Sequence, residues 1–296
     1  MLLQQQRSAI RLNLVSARCR KMRVPESCIV GLAAVLLFSP FALSQTREPN
    51  RNQSGGISDQ YNKLAATGAG GAAPKRDLTG FWAGPAAQKI NAVPPMTPWG
   101  EEQYRGHKDE SRYVVAESND PIKQCDPLGF PRDMVFQTRG IAIAQMSDRM
   151  LELFQYNQVW REIWTDGRQL PKNFGARTAD APDPHWYGYS VGHWDGDFSF
   201  VVDSVGSDER SWLDQAGHPH SVEMKVQERY TRVDHNNLDV TITIDDPKAY
   251  TKPFVISTSH FRWIPQQDFE EEICAPSVMA EYLKVIADPA AKGSGK

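Results

Sequence analysis

The chain predicts a mainly β fold: an antiparallel meander of about eight or nine strands that closes into a barrel, with long loops and a short C-terminal helix. Three observations carry this. Segments between Ile141 and Ile264 are rich in aromatic and β-branched residues and alternate apolar with polar positions. Very short turns join them, most clearly Trp194-Asp195-Gly196-Asp197 between two such runs. A meander of this length buries its apolar face only by curling or closing on itself.

The elements follow in order. Leu78–Trp82 opens the fold, and 91–126 is Pro-rich and irregular apart from one short helix expected over Pro98–Gly106. Ile141–Met146 and Met150–Tyr156 read as a hairpin, followed by Gln158–Thr165, which Asp166-Gly167 stops. Lys172–His185 is a long loop carrying Pro182 and Pro184. Strands are then expected over Tyr187–His193, Asp197–Ser204, Ser221–Val233, Leu238–Ile244 and Pro253–Ile264. Glu270–Ile286 reads as a terminal helix with Met279, Leu283 and Ile286 on one face.

The ends read differently. Arg7, Arg11, Arg18, Arg20, Lys21 and Arg23 precede the uncharged apolar stretch Ile29–Phe38, and Ala42-Leu43-Ser44 supplies small residues before a cut at Gln45. That is the plan of a secretory leader over 1–44, too short to span a bilayer, and it predicts a periplasmic or secreted protein with no stable membrane insertion after cleavage. The Gly/Ala/Asn-rich stretch 45–76 reads as a disordered linker and 287–296 as a disordered tail, leaving 77–286 as one β domain.

Six of the 33 Lys+Arg and one of the 36 Asp+Glu precede Gln45, so the exported chain has 27 basic and 35 acidic residues, a net of −8. Such a protein repels phosphate, which argues against nucleic acid as a partner. Cys125 and Cys274 are the two cysteines after the leader. In an oxidising compartment they are expected to form one disulfide, and without CxxC spacing they do not suggest a metal site.

Seven motifs in order carry a resemblance: DLTGFW at Asp77–Trp82, CDPLGFPR at Cys125–Arg132, REIWTDGR at Arg161–Arg168, GHWDGD at Gly192–Asp197, GHPHS at Gly217–Ser221, QERY at Gln227–Tyr230 and DDPKAYTKP at Asp245–Pro253. Together they resemble a widespread family of exported bacterial proteins of uncharacterised function, a resemblance that implies no activity. More loosely, Gly80-Phe81-Trp82 at the start of a first strand is similar to the G-x-W of lipocalin-like, or calycin-like, barrels. That likeness implies a Trp closing the barrel bottom against an Arg near the last strand, with Arg262 as the counterpart.

Two charged residues break the alternation. In Ser221–Tyr230 the apolar face of Val222, Met224, Val226 and Tyr230 also carries Glu228, and Arg161 alternates with Val159 and Ile163. An inward carboxylate costs several kcal/mol unless paired or protonated. These residues read either as a buried ion pair or as polar anchors for a ligand. His218-Pro219-His220, with Asp214 just upstream, offers a zinc-like or acid/base pattern beside the plainer reading of a structured loop. No nucleophile elbow, P-loop or dinucleotide fingerprint is present.

The expectation that follows is a protein binding a small apolar or amphipathic ligand inside a barrel, anchored by Arg161 and Glu228 and walled by Trp160, Trp164 and Trp194. The alternative is a barrel-based lyase, isomerase or hydrolase using His220, Asp214 and Glu228 as acid/base groups, with metal at His218 and His220 as a minor variant. No cofactor is predicted, and nothing in the sequence sets an oligomeric state.

Overall fold

Nine strands follow from the alternation: β1 Gly80–Ala83, β2 Gly140–Gln145, β3 Arg149–Phe154, β4 Trp160–Trp164, β5 Tyr189–Asp195, β6 Ser199–Val205, β7 Lys225–Arg232, β8 Asn237–Asp245 and β9 Phe254–Ile264. In the computed structural model each strand pairs with the next, and β1 pairs with β9, so the sheet closes into a barrel. The structure describes residues 63–84, 91–135, 140–175, 178, 181–265 and 271–293. The expected leader (1–44) and the first part of the expected linker (45–62) lie outside them.

Burial confirms the period-two pattern. Every second residue of β8 is buried, and the buried positions of β7 are Val226, Glu228, Tyr230 and Arg232. Gly196 takes φ +79° in the tight turn joining β5 to β6. Among the described residues no helix is long and apolar enough to cross a membrane.

One pairing departs from a pure meander. β4 and β5 run parallel and share two rungs, Ile163–Ser190 and Trp164–Val191. Parallel neighbours need a long return connection, and residues 165–188, including the Pro-containing loop, provide it.

The interior is filled by the protein itself. A short helix, α2 (Arg132–Val135), follows Leu128 and Phe130 into the barrel, and Phe130, Met134 and Val135 join one core cluster with Ile141, Phe200 and Tyr230. The upstream helix α1 (Pro98–Gly106) has the expected bounds, with Thr97 Oγ1 capping the Gly100 amide at 3.2 Å. Arg132 is held in two-pronged fashion by Asp120 at 2.8 and 2.5 Å, both side chains being buried. Cys125 and Cys274 are disulfide-bonded, 149 positions apart, as expected.

Several boundaries differ. β7 starts at Lys225 rather than Ser221, because Asp246 takes the Ser221 amide (2.6 Å) and hydroxyl (2.8 Å) and holds that residue in a loop. Arg232 packs on Trp82, its guanidinium 4.4 Å from the ring centre, in the place expected of Arg262. Arg232 lies on the inward face at the end of β7, where Trp82 points, whereas Arg262 pairs in register with Ala83.

Residues 66–76, read as linker, are bound to the barrel: Ala66 N–H donates to Trp263 O at 2.8 Å and Asn236 N–H to Ala69 O at 3.0 Å. The C-terminal helix comprises α3 (Pro276–Tyr282), a wider turn at Leu283–Ala287 and α4 (Asp288–Gly293), so helix extends into the stretch read as tail. In the wider turn the Asp288 amide reaches Leu283 O, just before Pro289, which has no amide of its own to give. Met279 and Leu283 are half-buried and Ala287 is buried, while Ile286 is exposed.

Candidate functional site

Alternation on three strands points four polar side chains at one another. Glu152 on β3 and Arg161 on β4 are register partners, so they leave the sheet on the same face. Glu228 and Tyr230 lie two residues apart on β7 and face the same interior. Arg161 Nε donates to Glu152 Oε2 at 2.6 Å, Nη1 to Glu228 Oε1 at 2.9 Å, and Nη2 to Glu228 Oε2 and to Tyr230 Oη, the last at 3.1 Å. The Tyr230 hydroxyl lies 2.9 Å from Glu152 Oε1 and 2.7 Å from Glu228 Oε2, so its proton bridges two carboxylates. Phe130 covers the guanidinium, with its ring centre 3.8 Å away.

None of the four is more than 4 % exposed. Burial raises the Glu152 pKa, and the Arg161 charge beside it offsets this only in part while Glu228 adds to it. Burial works against the Arg161 charge, but Glu152 and Glu228 outweigh it and hold the guanidinium protonated. Two carboxylates thus share one cation.

A further acid adjoins them. Asp133, on α2, accepts a hydrogen bond from the Tyr187 hydroxyl and is buried. Burial pushes its pKa up to about 7, and the Glu152 charge acts in the same direction.

The histidine loop is organised differently. His220 Nε2 lies 2.9 Å from Ser211 Oγ, and Nδ1 lies 3.2 Å from Ser221 O. Burial depresses its pKa, so the ring is neutral. Nδ1–H then donates to the carbonyl, while the Ser211 hydroxyl beside Nε2 also lies 2.9 Å from Asp208 O. Asp214 pairs with His218 Nδ1 at 2.6 Å, and His218 stacks on Tyr104. His220, Asp214 and Glu228 therefore each bond a different set of partners. Among the described residues no group of three or more His, Cys, Asp or Glu is placed to hold a metal.

The three tryptophans separate. Trp194 packs on Phe200, 5.2 Å between ring centres, against the core. Trp160 is 55 % exposed and joins Met146, Leu151 and Leu153 around a shallow apolar depression on the outer wall. Trp164 lies between the guanidinium groups of Arg149 and Arg168, 3.7 and 3.4 Å from its ring centre.

Trp164 also lines a groove of about 1100 Å³ on the barrel exterior. Its floor is the outward face of β5–β8, including Val191, His193, Asp203, Lys225 and Gln227. Its wall is the chain from Gly167 to Phe174, turned back over the strands after β4. Apolar Trp164, Leu170, Phe174 and Val191 stand beside cationic Arg168, Lys172 and Lys225 and acidic Asp203, Glu223 and Asp245.

Sequence reasoning paired Arg161 with Glu228 but did not include Glu152, Tyr230 and Asp133. The Glu152 signal was present: it alternates with Met150 and Phe154. Leu151 and Leu153 on the other face hide which side points inward. Compared with known proteins, the chain matches no family model, and no curated protein is similar enough to count as a relative.

Proposed function

We propose that this chain is an exported binding protein whose small amphipathic ligand lies in the outer groove, while the Glu152–Arg161–Glu228 cluster braces the barrel. The observation that carries the reading is the groove itself. About 1100 Å³, walled by Trp164, Leu170 and Phe174 and rimmed by charges of both signs, suits a small molecule with apolar and polar parts. Export is supported by the leader pattern and is compatible with the disulfide.

Arg161 and Glu228 have less scope as ligand anchors. Every guanidinium nitrogen of Arg161 already donates to a buried partner, and Phe130 lies over its face. An interior ligand would have to displace both. The acid/base alternative has weaker footing still, since His220, Asp214 and Glu228 are engaged separately.

The test is to compare native and denatured masses of the purified mature protein. A surplus that disappears on denaturation and is lost from Trp164→Ala and Lys225→Ala supports the groove. A surplus that survives both substitutions overturns the proposal, because the ligand then lies elsewhere than in the groove.

A further inference from the structure

The hydrogen-bonded circuit of the barrel is thinnest between β4 and β5. β5 pairs with β6 along seven residues, Tyr189 to Asp195, but with β4 at Ser190 and Val191 alone. After Trp164 the chain follows β3 for one more step, Thr165 N–H donating to Asp148 O at 2.8 Å, and the left-handed Gly167, at φ +81°, comes two residues later. Among the described residues no strand lies beside Gly192–Asp195 on the β4 side.

The first two residues of that stretch open into the groove. Gly192 and His193 line it from one side, and Gly167, Arg168 and Gln169 from the other. Gly192 is half-buried and His193 exposed, so the edge is reachable from solvent. A strand edge without a neighbour presents backbone N–H and C=O groups to whatever extended chain lies along it.

We infer that the groove receives an extended peptide segment, which adds to the barrel as a strand paired with Gly192–Asp195. The inference rests on the groove being the ligand site and names the ligand class. Main-chain hydrogen bonds to the edge supply recognition that does not depend on the peptide's sequence. Alternate side chains of the added strand then meet Trp164 and Leu170, or the charged residues Arg168, Lys225, Asp203 and Glu223. Both signs of charge within one groove suit a polypeptide better than a uniformly charged or wholly apolar compound.

The test uses the mature protein with a phage-displayed library of random linear peptides. Peptides recovered from it are synthesised free, and binding is followed by calorimetry. Each is then remade with a single backbone N-methyl group at successive positions. Strand addition predicts that N-methylation at alternate positions weakens binding by about tenfold, the effect of one lost backbone hydrogen bond, while the positions between tolerate it. Amide exchange at Gly192–Asp195 should slow in the complex.

Peptides that bind at Trp164 but are indifferent to N-methylation at every position would overturn strand addition and leave the groove as the ligand site. The same holds if no peptide is recovered while a non-peptide ligand leaves with Trp164→Ala. Peptides that bind equally to wild type and Trp164→Ala would overturn both readings.

Discussion

Arg161 and Glu228 join β4 to β7 through the barrel interior, and in doing so span the parallel seam that β4 and β5 hold with two rungs. Glu152 extends the link to β3, and Tyr230 seats it on β7. The strand pairing is thinnest where the ionic bracing is densest.

Removing one charge should therefore be severe. Arg161→Met leaves Glu152 and Glu228 buried without a cation and should destabilise the fold by about 3–5 kcal/mol, measured by urea unfolding. Apolar replacement of the whole group (Glu152→Leu, Arg161→Met and Glu228→Leu, with Tyr230→Phe so that no hydroxyl is stranded) should restore most of the loss. If the combined variant is as unstable as the single one, the cluster holds the barrel by more than charge satisfaction.

Asp133 gives the stability a pH dependence. Its pKa lies at about 7 in the fold against 3.8 for an ordinary aspartate. Between those values the folded protein holds a proton that the unfolded chain has released. Its contribution is fully present below pH 3.8, declines as pH rises, and is lost above pH 7, a change of about 4 kcal/mol. Asp133→Asn should flatten this decline, so the difference between the two unfolding profiles isolates the residue. His220 runs the other way: its depressed pKa means stability is lost as pH falls below 6.5. Parallel profiles for Asp133→Asn and wild type would exclude the assignment.

The disulfide closes a loop of 149 positions, and chain entropy puts its contribution at about 5 kcal/mol. Cys125→Ser should lower the melting temperature under oxidising conditions and leave it at the wild-type value when both proteins are reduced. Equal midpoints in air would show that the bond contributes nothing.

Gly206 connects stability to the groove. It takes φ +72°, and a methyl group placed on it would lie 2.4 Å from the Phe174 ring. Gly206→Ala should cost about 1–2 kcal/mol in backbone strain. It should also push Phe174 out of the groove wall, seen as a change in Trp164 fluorescence and weaker ligand binding.

The barrel was legible because period-two alternation and short turns are local signals, readable from Ile141 to Ile264. Glu228 and Arg161 stood out because each interrupts an otherwise apolar face. Glu152 did not, because β3 is apolar on both faces and the inward one could not be chosen. Asp133 enters the interior on a four-residue helix with no periodicity to read. The parallel seam and the groove depend on how residues 165–188 fold back, which is set by distant contacts such as Phe174 against Gly206. Trp82 was expected to meet an arginine, yet only strand order decides that this is Arg232.

The Cys125–Cys274 bond also determines what a protease can accomplish. It encloses β2 to β9 in one covalent ring, and the long loop between β4 and β5 lies inside that ring. A single cut in the loop opens the ring without dividing the molecule, leaving the two pieces held by the sulfur bridge as well as by the sheet. A nicked copy would migrate as one species until reduced, where the same cut in an uncrosslinked chain leaves two fragments with no covalent link between them.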